Sequence, residues 1–106
     1  MSASLLDLSP EVLYDGILGT IYLLHFDEPF GHARHYLGWA SNLDGRLWHH
    51  ANGTGANLLR HVRRAGISWR LAATWPGTRN DERRMKNHGH ARRCPICQAE
   101  AERSAA

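Results

Sequence analysis

Apolar positions along this chain change period several times, and each change marks an element. GTIYLLHF, residues 19–26, is rich in β-branched, aromatic and aliphatic residues and runs into the turn-prone DEPFGH. It predicts a strand, a loop, and a second strand over about residues 34–40, where His35 and Tyr36 place two polar aromatic rings in an otherwise apolar run. Ser41, Asn42 and Asp44 are candidate caps for a helix over about residues 43–51. Leu43 and Leu47 share one side of that helix, and Arg46 and His50 share another at i and i+4. After the break at Asn52-Gly53-Thr54-Gly55, residues 56–65 predict a second helix with Leu58, Leu59 and Val62 inward and Gly66 just past its end. The glycine-rich break lacks a phosphate-loop lysine pattern and reads as a connector.

ISWRLAATW, residues 67–75, alternates Ile67, Trp69, Leu71, Ala73 and Trp75 against Ser68, Arg70, Ala72 and Thr74, the period of a strand. Pro76-Gly77 ends it, and Thr78 with Asp81 three residues on forms a capping-box pattern opening a third helix that carries Glu82, Met85 and Lys86. Upstream, Ser9-Pro10-Glu11 suggests a short accessory helix. The order strand, strand, helix, helix, strand, helix predicts an α+β fold. Its first two strands form an antiparallel hairpin, and the third joins that sheet to cover the helices' apolar faces. The expected organisation is an N-terminal extension over residues 1–18, a domain over 19–97, and a tail over 98–106 that frays.

Composition narrows the function. A chain of 106 residues buries one modest core, and 42% hydrophobic content with four tryptophans is that of a globular protein. The formal charge is +3, and Arg60, Arg63, Arg64, Arg70, Arg79, Arg83, Arg84, Arg92 and Arg93 all lie in the second half. That bias favours a polyanionic partner. The two cysteines, Cys94 and Cys97, are spaced as a metal half-site or redox pair rather than as a secreted disulfide framework. With His88 and His90 they offer a zinc set, but a single CxxC makes two reduced cysteines packing the C-terminal segment the expected reading. Neither a signal-peptide pattern nor an apolar run long enough to span a bilayer is visible, so a cytoplasmic location is the default expectation.

Taken together, TIY at residues 20–22, YLG at 36–38, Arg46, His50 and Glu82, in that order and on those elements, resemble the GIY-YIG nuclease superfamily. The resemblance covers roughly residues 19–86. It implies a three-stranded antiparallel sheet flanked by helices and hydrolysis of DNA phosphodiester bonds, with RNA also open and a monomer as the default. It further implies one divalent ion, Mg²⁺ or Mn²⁺, held by Glu82. Arg46 would bind phosphate through its planar fork. Tyr22 would act as general base or orient the attacking water, assisted by His50, with Tyr36 beside it. Other readings stand next to these: core packing for the tyrosines, a solvated helix position for His50 with His49 an equal candidate, and a surface pair with Lys86 for Glu82. His35 falls on the opposite face of the sheet from Tyr36. The family's usual glycine is Thr20 here, and Asn87 comes too soon after Glu82 to match the family's asparagine. The rival functions are a non-catalytic nucleic-acid-binding module on the same fold and a zinc-stabilised interaction protein.

Overall fold

A computed structural model describes residues 16–105. The accessory helix suggested by Ser9-Pro10-Glu11 lies outside them. Three strands, β1 (Gly19–Phe30), β2 (Ala33–Ala40) and β3 (Trp69–Gly77), form one antiparallel sheet in the order β2-β1-β3. Between β2 and β3 come α1 (Leu43–Ala51) and α2 (Asn57–Arg64); after β3 come α3 (Arg79–Asn87), a 3₁₀ turn (His90–Arg93) and α4 (Pro95–Ala105). The chain is therefore α+β, with helices on both faces of the sheet.

Local chemistry accounts for most boundaries. The β1–β2 hairpin turns at Gly31, whose φ of 60° suits glycine, with Phe30 paired to Ala33. Among the three candidate caps Asn42 is the one used: its Oδ1 accepts from the Gly45 N–H at 3.2 Å. The α3 capping box closes in both directions, with the Asp81 N–H donating to Thr78 Oγ1 at 3.2 Å and the Thr78 N–H donating to the Asp81 carboxylate at 2.9 Å.

Strand alternation divides the core into two layers. Tyr22, Leu24 and Phe26 project to one face, where Leu43, Leu47, Leu58, Leu59 and Val62 of α1 and α2 cover them. Ile21, Leu23 and Leu37 project to the other, against Trp39, Trp75, Met85, Ile96 and Cys94. Each layer removes apolar area from water, the main favourable contribution to folding at about 25 cal/mol per Å².

Three expectations need correction. The alternation along residues 67–75 does not put Trp69 and Trp75 on one face. Leu23 pairs with Ala73 but Leu24 pairs with Leu71, so Ala72 is an extra residue in β3 and the side-chain phase reverses there. Trp69 consequently packs with the Tyr22 layer, Trp75 with the Leu37 layer, and Leu71 is left exposed. The tail does not fray from residue 98, because α4 continues to Ala105. Finally, Cys94 and Cys97 are reduced and pack the C-terminal segment against the sheet as expected, but they do not gather His88 and His90: their sulfurs lie beside the imidazoles of His25 and His35.

Candidate functional site

An open cleft of about 530 Å³ runs along the edge strand β2. Tyr36, Gly38, Trp39 and Ala40 line it from the strand; Gly45, Arg46 and His49 line it from α1; Arg79, Glu82 and Arg83 line it from α3. The two caps position the helical residues: Asn42 starts α1 one turn before Arg46, and Thr78 starts α3 one turn before Glu82. Trp39 reaches from β2 to the end of β3 and the start of α3. Its indole N–H donates to the Gly77 carbonyl at 2.8 Å, and the Arg79 guanidinium sits 4.8 Å from its ring centroid. Three arginines against one glutamate make the lining cationic and suit it to an anionic ligand.

Behind the cleft lies a buried aromatic group. Tyr22 and His50 are both fully buried, and the Tyr22 hydroxyl and His50 Nε2 are 2.6 Å apart. The Ala56 backbone N–H donates to His50 Nδ1 at 3.4 Å. Burial, then the Arg46 charge and His49, push His50 down to about 4, so the ring is neutral at neutral pH. A neutral ring that accepts at Nδ1 carries its proton on Nε2, so His50 donates to the Tyr22 oxygen. Tyr36 completes the group, with its ring centroid 6.1 Å from that of Tyr22 and 5.4 Å from that of His50.

Opposing influences act on the Tyr22 hydroxyl. Burial holds its pKa above the ordinary tyrosine value and Tyr36 adds to this, while Arg46 pulls it down. Burial would lower the pKa of Arg46, but its interactions with Tyr22 and then Tyr36 outweigh that, and the net shift is upward. Tyr22 therefore rests protonated, with donors placed to favour the anion should its proton leave.

Two glycines fit this arrangement. A Cβ at Gly38 would collide with the Tyr22 hydroxyl, and one at Gly55 would collide with His50 Nδ1. The Gly53–Gly55 stretch, read from sequence as a connector, thus also seats His50.

Of the residues singled out from sequence, Tyr36, Arg46 and Glu82 line the cleft, while Tyr22 and His50 lie beneath it. Glu82 also makes the pair with Lys86 that its spacing allows, at 3.2 Å, with its side chain 17% exposed. His49 lines the cleft and shares a 2.8 Å hydrogen bond with Thr54 Oγ1, so the two adjacent histidines divide into one at the surface and one in the core. Asn87 does not line the cleft. Sequence reasoning missed Trp39, Arg79 and Arg83 as cleft residues. A tryptophan directly after YLG was the available signal for the first, whereas nothing local distinguishes Arg79 and Arg83 from the other arginines.

No family model matches the chain, and comparison with curated proteins and with solved structures likewise gives no match.

Proposed function

We propose that this chain is a divalent-metal-dependent endonuclease that hydrolyses DNA phosphodiester bonds through a GIY-YIG-type site. The observation that carries the reading is the convergence of Tyr36, Arg46 and Glu82, from three separate elements, on one cationic cleft with Tyr22 and His50 directly behind it. Phosphodiester hydrolysis needs an oriented water, compensation of charge growing on the phosphoryl oxygens, and help for the leaving oxygen. Arg46 supplies a permanent, planar charge for the phosphoryl oxygens. Tyr36 lines the cleft, where its hydroxyl would orient water, and Tyr22 beneath it is held by the His50 donor and Arg46.

The donor set suits Mg²⁺ or Mn²⁺, since Glu82 brings the only carboxylate of the cleft lining into an open volume, and Mg²⁺ commonly takes one carboxylate and keeps several waters. Bound there, the ion would act as a Lewis acid on the phosphoryl and leaving oxygens. A second reading, a nucleic-acid-binding module without turnover, is favoured by the burial of Tyr22 and by the Glu82–Lys86 pair.

The two readings separate on one preparation. Labelled duplex, nicked, branched and single-stranded DNA are incubated with Mg²⁺, Mn²⁺ or EDTA, using the native chain and Glu82→Gln with circular dichroism as the fold control. Metal-dependent cutting by the native chain should fall by orders of magnitude in Glu82→Gln, as when several kcal/mol of transition-state stabilisation is lost. Metal-free DNA binding should persist or tighten. Binding without cutting by the native chain would favour the second reading, and undiminished cutting by Glu82→Gln would remove Glu82 from the mechanism.

A further inference from the structure

On the face of the sheet opposite Tyr22 and Tyr36, four side chains from three elements converge. His25 of β1 and His35 of β2 are directly paired across the antiparallel strands, so both imidazoles project to the same face. Cys94, between the 3₁₀ turn and α4, and Cys97, in the first turn of α4, come down upon them. One ligand atom from each of the four lies within 4.8 Å of every other. His25 and Cys94 are fully buried. Both cysteines are free thiols rather than a disulfide.

Four of the six spacings match those of a tetrahedron around a metal. Zn–S bonds of about 2.3 Å and Zn–N bonds of about 2.05 Å at tetrahedral angles place N and N about 3.3 Å apart and N and S about 3.6 Å apart. His25 Nδ1 and His35 Nε2 are 3.3 Å apart; His25 Nδ1 is 3.5 Å from Cys94 Sγ and 3.5 Å from Cys97 Sγ; His35 Nε2 is 3.3 Å from Cys97 Sγ. Hydrogen bonding alone does not account for this. His25 Nδ1 has either one proton or one lone pair but meets three neighbours, while His25 Nε2 is buried without a partner. Coordination through Nδ1 resolves the convergence and leaves the ring proton on Nε2. The backbone adds a further mark of a thiolate turn: the Cys97 N–H points at Cys94 Sγ, 3.5 Å away, where it would stabilise a ligating thiolate.

We infer that His25, His35, Cys94 and Cys97 form a closed, structural Cys₂His₂ zinc site that fastens the C-terminal segment to the back of the β1–β2 hairpin. Two imidazoles and two thiolates are a borderline-soft set that suits Zn²⁺ over Mg²⁺ or Ca²⁺, and four protein ligands leave no open position for substrate. The site also explains how α4 is held, since no residue of that helix is fully buried and its apolar contacts come down to Ile96 and Cys97. This site is independent of the endonuclease reading.

The experiment uses the full chain, purified without a histidine tag and dialysed after exposure to zinc. Elemental analysis should find one zinc per chain. Thiol modification should release it stoichiometrically to a colorimetric chelator, and Co²⁺ substitution should give the visible absorption of a tetrahedral thiolate complex. His25→Ala, His35→Ala and the double variant Cys94→Ser with Cys97→Ser should lose the metal, while His88→Ala and His90→Ala should keep it. To separate loss of metal from loss of fold, the native chain carries its own test: a strong chelator should lower its melting temperature, and added zinc should restore it. Native protein that retains no zinc, or zinc that survives the double cysteine variant, would overturn the assignment.

Discussion

The adjacent histidines of α1 show how far a single side chain's chemistry depends on its surroundings. His49 is at the surface against Thr54, whereas His50 is sealed between Tyr22, Tyr36 and the Ala56 backbone. His50 titrates at about 4 in the fold, against 6.5 for an ordinary histidine. Between those values the unfolded chain binds the proton and the folded chain does not. This contribution to stability is therefore complete above pH 6.5 and is lost as pH falls toward 4. Its size is up to roughly 3 kcal/mol. Denaturant melts of the native chain and His50→Gln across that window should show a shallower loss in the variant; equal slopes would place the titration elsewhere. Tyr22→Phe acts on the same contact and should cost about 1–3 kcal/mol, because it leaves the buried His50 Nε2–H without an acceptor.

Secondary-structure ends carry much of the site's placement. Glu82 follows directly on the α3 capping box, so that box sets its approach to the cleft. Thr78→Ala should lower stability by about 1 kcal/mol and, on the proposed endonuclease reading, reduce cleavage beyond what the lost stability explains. Activity that merely tracks the folded fraction would show that the helix start does not govern Glu82. The capping box was legible because its partners are three residues apart. The Ala72 bulge was not, because an extra residue in one strand is defined only by the register of the other.

Across the whole molecule the charge distribution gives the clearest solution test. Arg46 belongs to α1, and Arg79 and Arg83 to α3, more than thirty positions further along the chain, yet they line one cleft. If each meets a phosphate, the logarithm of DNA affinity should fall with the logarithm of salt at a slope of about −2 to −3. Arg83→Ala should weaken binding on all sequences and reduce that slope by about one. An affinity that stays flat from low to moderate salt would show that these arginines make no phosphate contacts. Among the described residues no helix is long and apolar enough to cross a membrane.

Sequence alone determined what depends on near neighbours: the helix periods, the Thr78 start, the Gly66 stop, and the set Tyr22, Tyr36, Arg46, His50 and Glu82 in its order. Folding alone decided which of those groups meet solvent and which are sealed, because burial depends on what packs above a residue rather than beside it in the chain. It likewise decided the partners of the cysteines. His88 and His90 are nearer to Cys94 and Cys97 in sequence, but His25 and His35 are brought together by strand pairing some sixty to seventy residues away, and the turn into α4 sets the two sulfurs upon them. In the HYLG stretch, strand alternation turns Tyr36 toward the cleft and His35 toward the thiols. That two-sided geometry was readable from the sequence; what waits on each side is set by the tertiary fold.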